Sequence, residues 1–115
     1  MQLTTAMHLT GAAVTAGLGL MGLARPAWAA AFTSIAPRGA TGMSEVRATY
    51  GGFFLALGGY ALLSQHPVAF TTAGVAWLGA AVGRAISVVT DRSTEPRNLA
   101  GIVFEAVIGG ALVAG

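Results

Sequence analysis

The chain contains no lysine and no cysteine, and only 9% of its 115 residues are charged. Without cysteine there can be no disulfide, no thiolate metal site and no cysteine nucleophile. Positive charge rests on Arg25, Arg38, Arg47, Arg84, Arg92 and Arg97, against four acids. A net +2 scattered in this way is not the clustered basic face that nucleic acid requires. Soluble domains carry roughly 25% charged residues. A chain at 9%, with 55% hydrophobic residues and mean hydropathy +0.72, has the composition of a membrane protein. No Ser-His-Asp set, glycine-rich phosphate loop or pair of carboxylates at catalytic spacing can be assembled, so no enzyme is expected.

What the chain has in quantity is apolar length and glycine. A spanning helix needs about 20 largely apolar residues, and windows 3–24, 46–64, 67–89 and 98–115 reach or approach that. The 17 glycines suit membrane helices whose backbones approach closely. The connections after the second and third windows are short, so the expectation is one all-α transmembrane domain over residues 1–115. Its helices form an antiparallel four-helix bundle.

The arginines orient it. All six lie in the first and third connections or in the helix turns beside them. The positive-inside rule then places both connections in the cytoplasm and both termini outside. Residues 1–30 also have the apolar run and small-residue spacing of a secretory signal, but no Lys or Arg precedes Arg25, so a helix is expected there. Trp28, Phe32 and Ile35 recur at i, i+4, i+7 beside Arg25, the pattern of a short interfacial helix along the cytoplasmic surface, with Trp28 and Phe32 as its anchors.

At an offset of 50, E-x-R-x-x-x-G-x-x-F recurs: Glu45, Arg47, Gly51 and Phe54 over Glu95, Arg97, Gly101 and Phe104. This reads as a helix-entrance motif, with each carboxylate in or before a first turn and Ser44 or Thr94 as N-cap. Pro96 fits the first turn as well.

Glu105 lies about seven residues inside the last window, where a lone carboxylate costs about 2.5 kcal/mol or more unless it finds a partner or a proton. Arg84 lies at nearly the same depth in the preceding window, so an Arg84–Glu105 ion pair is expected, as a structural lock or a proton site. Ser87, Asp91 and Asn98 share that polar face. Gly79-Ala-Ala-Val-Gly83 is a GxxxG packing motif, and Ala48, Gly52 and Ala56 form a small-residue row on the second helix, as do Gly11, Thr15 and Gly19 on the first. His8 and His66 fall on the outer side. His8 is a weak candidate for a haem or pigment ligand, while no metal site is expected.

The run EVRATYGGFFLALGGYALL, followed by GRAISVVTDR and then Glu105, resembles a family of small bacterial four-helix membrane proteins catalogued as a domain of unknown function. The resemblance covers nearly the whole chain. Glu45, Arg47, Tyr50, Gly51 and Gly52 match its entrance motif, Gly83, Arg84, Ser87 and Asp91 its third helix, and Glu105 its acid. Many members place Gly after that Asp, where this chain has Arg92. The resemblance implies a fold but no activity, and the expected location is a bacterial inner membrane. The expected role is a non-enzymatic accessory or structural subunit, whose partners are the lipid bilayer and other membrane subunits or a second copy. The rival is a small proton-coupled transporter or channel using Arg84 and Glu105.

Overall fold

Prolines open helices in this chain. Pro26, Pro67 and Pro96 each occupy the first turn of a helix, where the missing N–H has no intrahelical acceptor to lose. The computed structural model describes residues 2–115 and is all-α, without a strand among the described residues. In chain order it forms α1 (Leu3–Ala24), α2 (Pro26–Phe32), α3 (Gly39–Val46), a π-helical segment (Arg47–Phe53), α4 (Phe54–Ser64), α5 (Pro67–Thr90) and α6 (Pro96–Val113). Among the described residues α1, α5 and α6 are the three helices long and apolar enough to cross a membrane.

The second expected helix differs most from its sequence reading. Helical backbone begins at Gly39 rather than residue 46, and α3, the π segment and α4 follow one another without a break. Glu45 and Arg47 therefore stand inside a helical run, both exposed, instead of at its entrance. Ser44 lies within α3, whose N-cap is Arg38 with no side-chain cap bond. Glu95, not Thr94, is the N-cap of α6, again without a side-chain bond. The early start has a local cause. Gly39 takes φ +65 after Pro37 and turns the chain into a short helix that buries Val46 while its polar residues stay exposed.

The chain divides into two compact units, one made of the residues up to Gly11 with His66–Gly115, the other of Ala12–Gln65. In the second unit, α1 meets the π segment and α4 backbone to backbone. A Cβ on Gly22 would collide with the Tyr50 carbonyl, and one on Gly58 would lie 2.8 Å from the Ala12 carbonyl oxygen. Such approaches maximise dispersion contact between helices and are open only to glycine. The contact row on this run is thus Gly51, Leu55 and Gly58. Ala48 and Ala56 are exposed, and a Cβ on Gly52 would meet nothing within 4 Å. The i→i+5 bonding of the π segment displaces side chains from the positions a regular helix would give them, so the simple four-residue spacing fails here. Helix α2 rests Ala29 and Ala30 on Val46, with Tyr50 packed alongside.

In the first unit α5 and α6 form an antiparallel hairpin. Gly74 lies beside Gly109 and Val113, Trp77 meets Phe104 edge-on at 5.8 Å, and Arg84 reaches Glu105. The turn between them closes through Arg92 at φ +54. Left-handed backbone is easy for glycine and costs other residues about 1 kcal/mol. A glycine at this position would be free of that cost.

Candidate functional site

Arg84 leaves α5 near its C-terminal end, and Glu105 faces it from α6. Arg84 Nε donates to Glu105 Oε1 and Nη2 to Oε2, both at 2.9 Å, a side-on bidentate pair. Nη1 donates to Asn98 Oδ1 at 3.0 Å, and Asn98 Nδ2 in turn donates to the Ser93 carbonyl at 2.8 Å. The guanidinium therefore joins α5, α6 and the turn between them. Gly101 makes room for it, since a Cβ there would lie 3.0 Å from Arg84 Nε and 3.1 Å from Cζ. The Glu105 side chain is 8% exposed and that of Arg84 38%.

The arrangement is chemically closed on the acid side. Both carboxylate oxygens accept charge-assisted bonds, which are shorter and stronger than neutral ones. No buried side-chain nitrogen or oxygen among the described residues lacks a hydrogen-bond partner. Two residues expected on this face stay out of the cluster. Asp91 is exposed and makes no ion pair among the described residues, while Ser87 contributes only its carbonyl, to the N–H groups of Asp91 and Ser93.

Gly79 and Gly83 do not pack against α6 within this chain. Both are exposed, and a Cβ on either would meet nothing within 4 Å. They follow Gly74 by five and nine positions, so at about 100° per residue they lie about 140° and 180° around the helix from the α6 contact. Trp28 and Phe32 stack at 5.2 Å on the exposed side of α2. Arg47 Nε donates to the Leu23 carbonyl at 3.3 Å, which satisfies a helix C-terminal acceptor of α1. Tyr50 faces Phe54 at 6.0 Å, and Gly51 packs on Leu23.

His8 Nε2 donates to the Ala114 carbonyl at 2.6 Å, which fixes its tautomer, and the ring stacks on Phe70 at 4.8 Å. His66 is the N-cap of α5, its Nδ1 accepting from the Val68 N–H at 3.1 Å. Among the described residues no group of three or more His, Cys, Asp or Glu is placed to hold a metal ion. The sequence had no signal for the Asn98–Ser93 link or for the π segment, because both depend on backbone geometry.

A protein-family model described as "Domain of unknown function (DUF4345)" matches residues 3–115. The curated proteins and the solved structures yielded no match.

Proposed function

The chain thus belongs to that family of unknown function, and on this premise we propose that it is a small non-enzymatic integral membrane protein of the bacterial inner membrane. It acts as a structural or accessory subunit, in a larger assembly or as a homo-oligomer. The helical run Gly39–Ser64 joins α1, α5 and α6 as a fourth crossing in an antiparallel bundle, with the arginine-bearing connections cytoplasmic and both termini outside. Helix α2 lies along the cytoplasmic surface.

The observation that carries this reading is the inverted distribution of side chains in the α5–α6 hairpin. Val75, Val82, Ile86, Val103 and Val107 point outward and are exposed, while Glu105 and the glycines Gly74 and Gly109 are buried between the helices. In water such a surface is unfavourable, but against lipid it is the ordinary one. A carboxylate saturated by one guanidinium serves helix locking better than proton exchange. Native purification in mild detergent tests the role. Co-purifying subunits or a defined oligomer are expected, and a monodisperse monomer with nothing attached overturns it.

One observation favours the proton-coupled transport reading: the Arg84 side chain is more than a third exposed, so the pair is reachable. Reconstituted vesicles without flux, or an Arg84→Met/Glu105→Met protein with unaltered flux, remove it.

A further inference from the structure

Within the second unit, α2 turns its large aromatic side chains outward and its alanines inward. Ala29 and Ala30 are buried, whereas Trp28 is 44% and Phe32 56% exposed, and the two rings stack on each other. Ile35, just beyond the helix, is exposed as well. The segment from residue 25 to 47 carries Arg25, Arg38 and Arg47, all exposed, against Glu45 as its one acid. Arg25 and Arg38 make no side-chain hydrogen bond or ion pair among the described residues. Arg47 is bonded through Nε to Leu23, two residues before Arg25, and its terminal nitrogens make no bond among the described residues. One cation is thus fixed at the C-terminal end of α1 while another follows directly in the chain.

Chain continuity places this patch. Helix α1 has 22 residues and α2 begins two residues after its end. At about 1.5 Å per residue, α1 covers about 33 Å, slightly more than the roughly 30 Å of a hydrocarbon core, so α2 starts where headgroups begin. We propose that α2 with Arg25 and Arg47 is a binding site for anionic phospholipid: the guanidinium groups hold the headgroup phosphate, and Trp28 and Phe32 lie against the upper acyl chains. The site rests on the membrane reading above and adds a headgroup preference to it. Charge complementarity selects the occupant. Arginine presents a planar set of donors suited to phosphate, and indole at a membrane boundary has one apolar face and one polar edge. A zwitterionic headgroup offers the same phosphate with a competing cation and binds less well.

The experiment uses the full chain. Wild type and the Arg25→Gln/Arg47→Gln protein are placed in nanodiscs of phosphatidylcholine mixed with phosphatidylglycerol, then released for native mass spectrometry. Wild type retains phosphatidylglycerol preferentially, and retention falls roughly fivefold for each arginine removed. Arg25→Gln alone gives the same direction if the Arg47 change disturbs folding, since no bond within the described chain depends on the Arg25 side chain. In a Trp77→Phe background, which leaves Trp28 as the sole tryptophan, bromine-labelled lipid quenches the emission. Equal retention of both lipids, indifference to the two substitutions, or an unquenched Trp28 covered by another protein overturns the site. Alkaline extraction separates the two failures. A chain that stays embedded without headgroup preference defeats this inference alone, whereas a chain that washes off defeats the membrane reading beneath it.

Discussion

Replacing Arg84 and Glu105 singly and together measures whether they act as one unit. Removing Arg84 as Arg84→Met leaves a carboxylate that is 8% exposed without either of its 2.9 Å bonds. Breaking a buried pair from one side costs about 3–5 kcal/mol, and the lower end, about 3 kcal/mol, applies because the pair is open on the Arg84 side, whose side chain is 38% exposed. Glu105→Met strands a guanidinium whose side chain is 38% exposed and which keeps Asn98. Screening at that exposure reduces the loss to about 2 kcal/mol. The double substitution leaves no stranded charge and costs only the bond to Asn98, about 1 kcal/mol, so the cycle gives a coupling of about 4 kcal/mol. Equilibrium unfolding in mixed detergent micelles, followed by the emission of Trp77 where it packs on Phe104, reads all four proteins. Additivity within about 0.5 kcal/mol would refute the idea that the two residues form one lock.

Gly74→Ala and Gly109→Ala each bring a Cβ to about van der Waals overlap with the opposing backbone, at 2.9 Å from the Gly109 carbonyl oxygen and 3.0 Å from that of Gly74 respectively, and should destabilise by about 1–3 kcal/mol on thermal unfolding. Gly79→Ala and Gly83→Ala meet no atom in the chain, so each should stabilise the isolated protein by about 0.5–1 kcal/mol. Loss of an oligomer in size-exclusion chromatography on those same substitutions would show that a partner uses that face. His8→Ala removes the bond to Ala114 and the stack on Phe70, and backbone amide exchange in the last turn of α6 should quicken while that around Arg84 holds. Arg92→Gly frees a residue at φ +54 and should raise stability by about 1 kcal/mol in the same unfolding assay.

Apolar length is a local signal, so α1 and α5 end within a residue of their apolar windows, while α6, opened by Pro96, is displaced two residues toward the N-terminus at both ends and stops at Val113. Arg84 and Glu105 were readable as partners because two opposite charges at equal depth in consecutive apolar segments have few other ways to avoid lipid. Asn98 shared their face by helical spacing, but Asp91 followed the same spacing and lies outside the cluster, since it falls where α5 ends. Glycine contacts were hidden for a different reason. With 17 glycines, many pairs satisfy a small-residue spacing, and only the facing backbone tells Gly74 from Gly79. The match at an offset of 50 does not carry over into equivalent surroundings either. Gly101 borders the Arg84 guanidinium while Gly51 packs on Leu23, and Glu95 occupies an N-cap position while Glu45 lies inside a helical run.

The segment Arg47–Phe53 also uncouples residue count from angular phase. A π turn holds an extra residue without rotating what lies on either side of it. Removing Thr49 should therefore let the coil relax to ordinary α geometry with Gly58 still turned toward Ala12 and Ala16. Removing a residue from within α4 instead swings everything beyond it by about 100°. Loss of a single residue is then tolerable at Arg47–Phe53, whereas within α4 it turns the following contact residues off their partners.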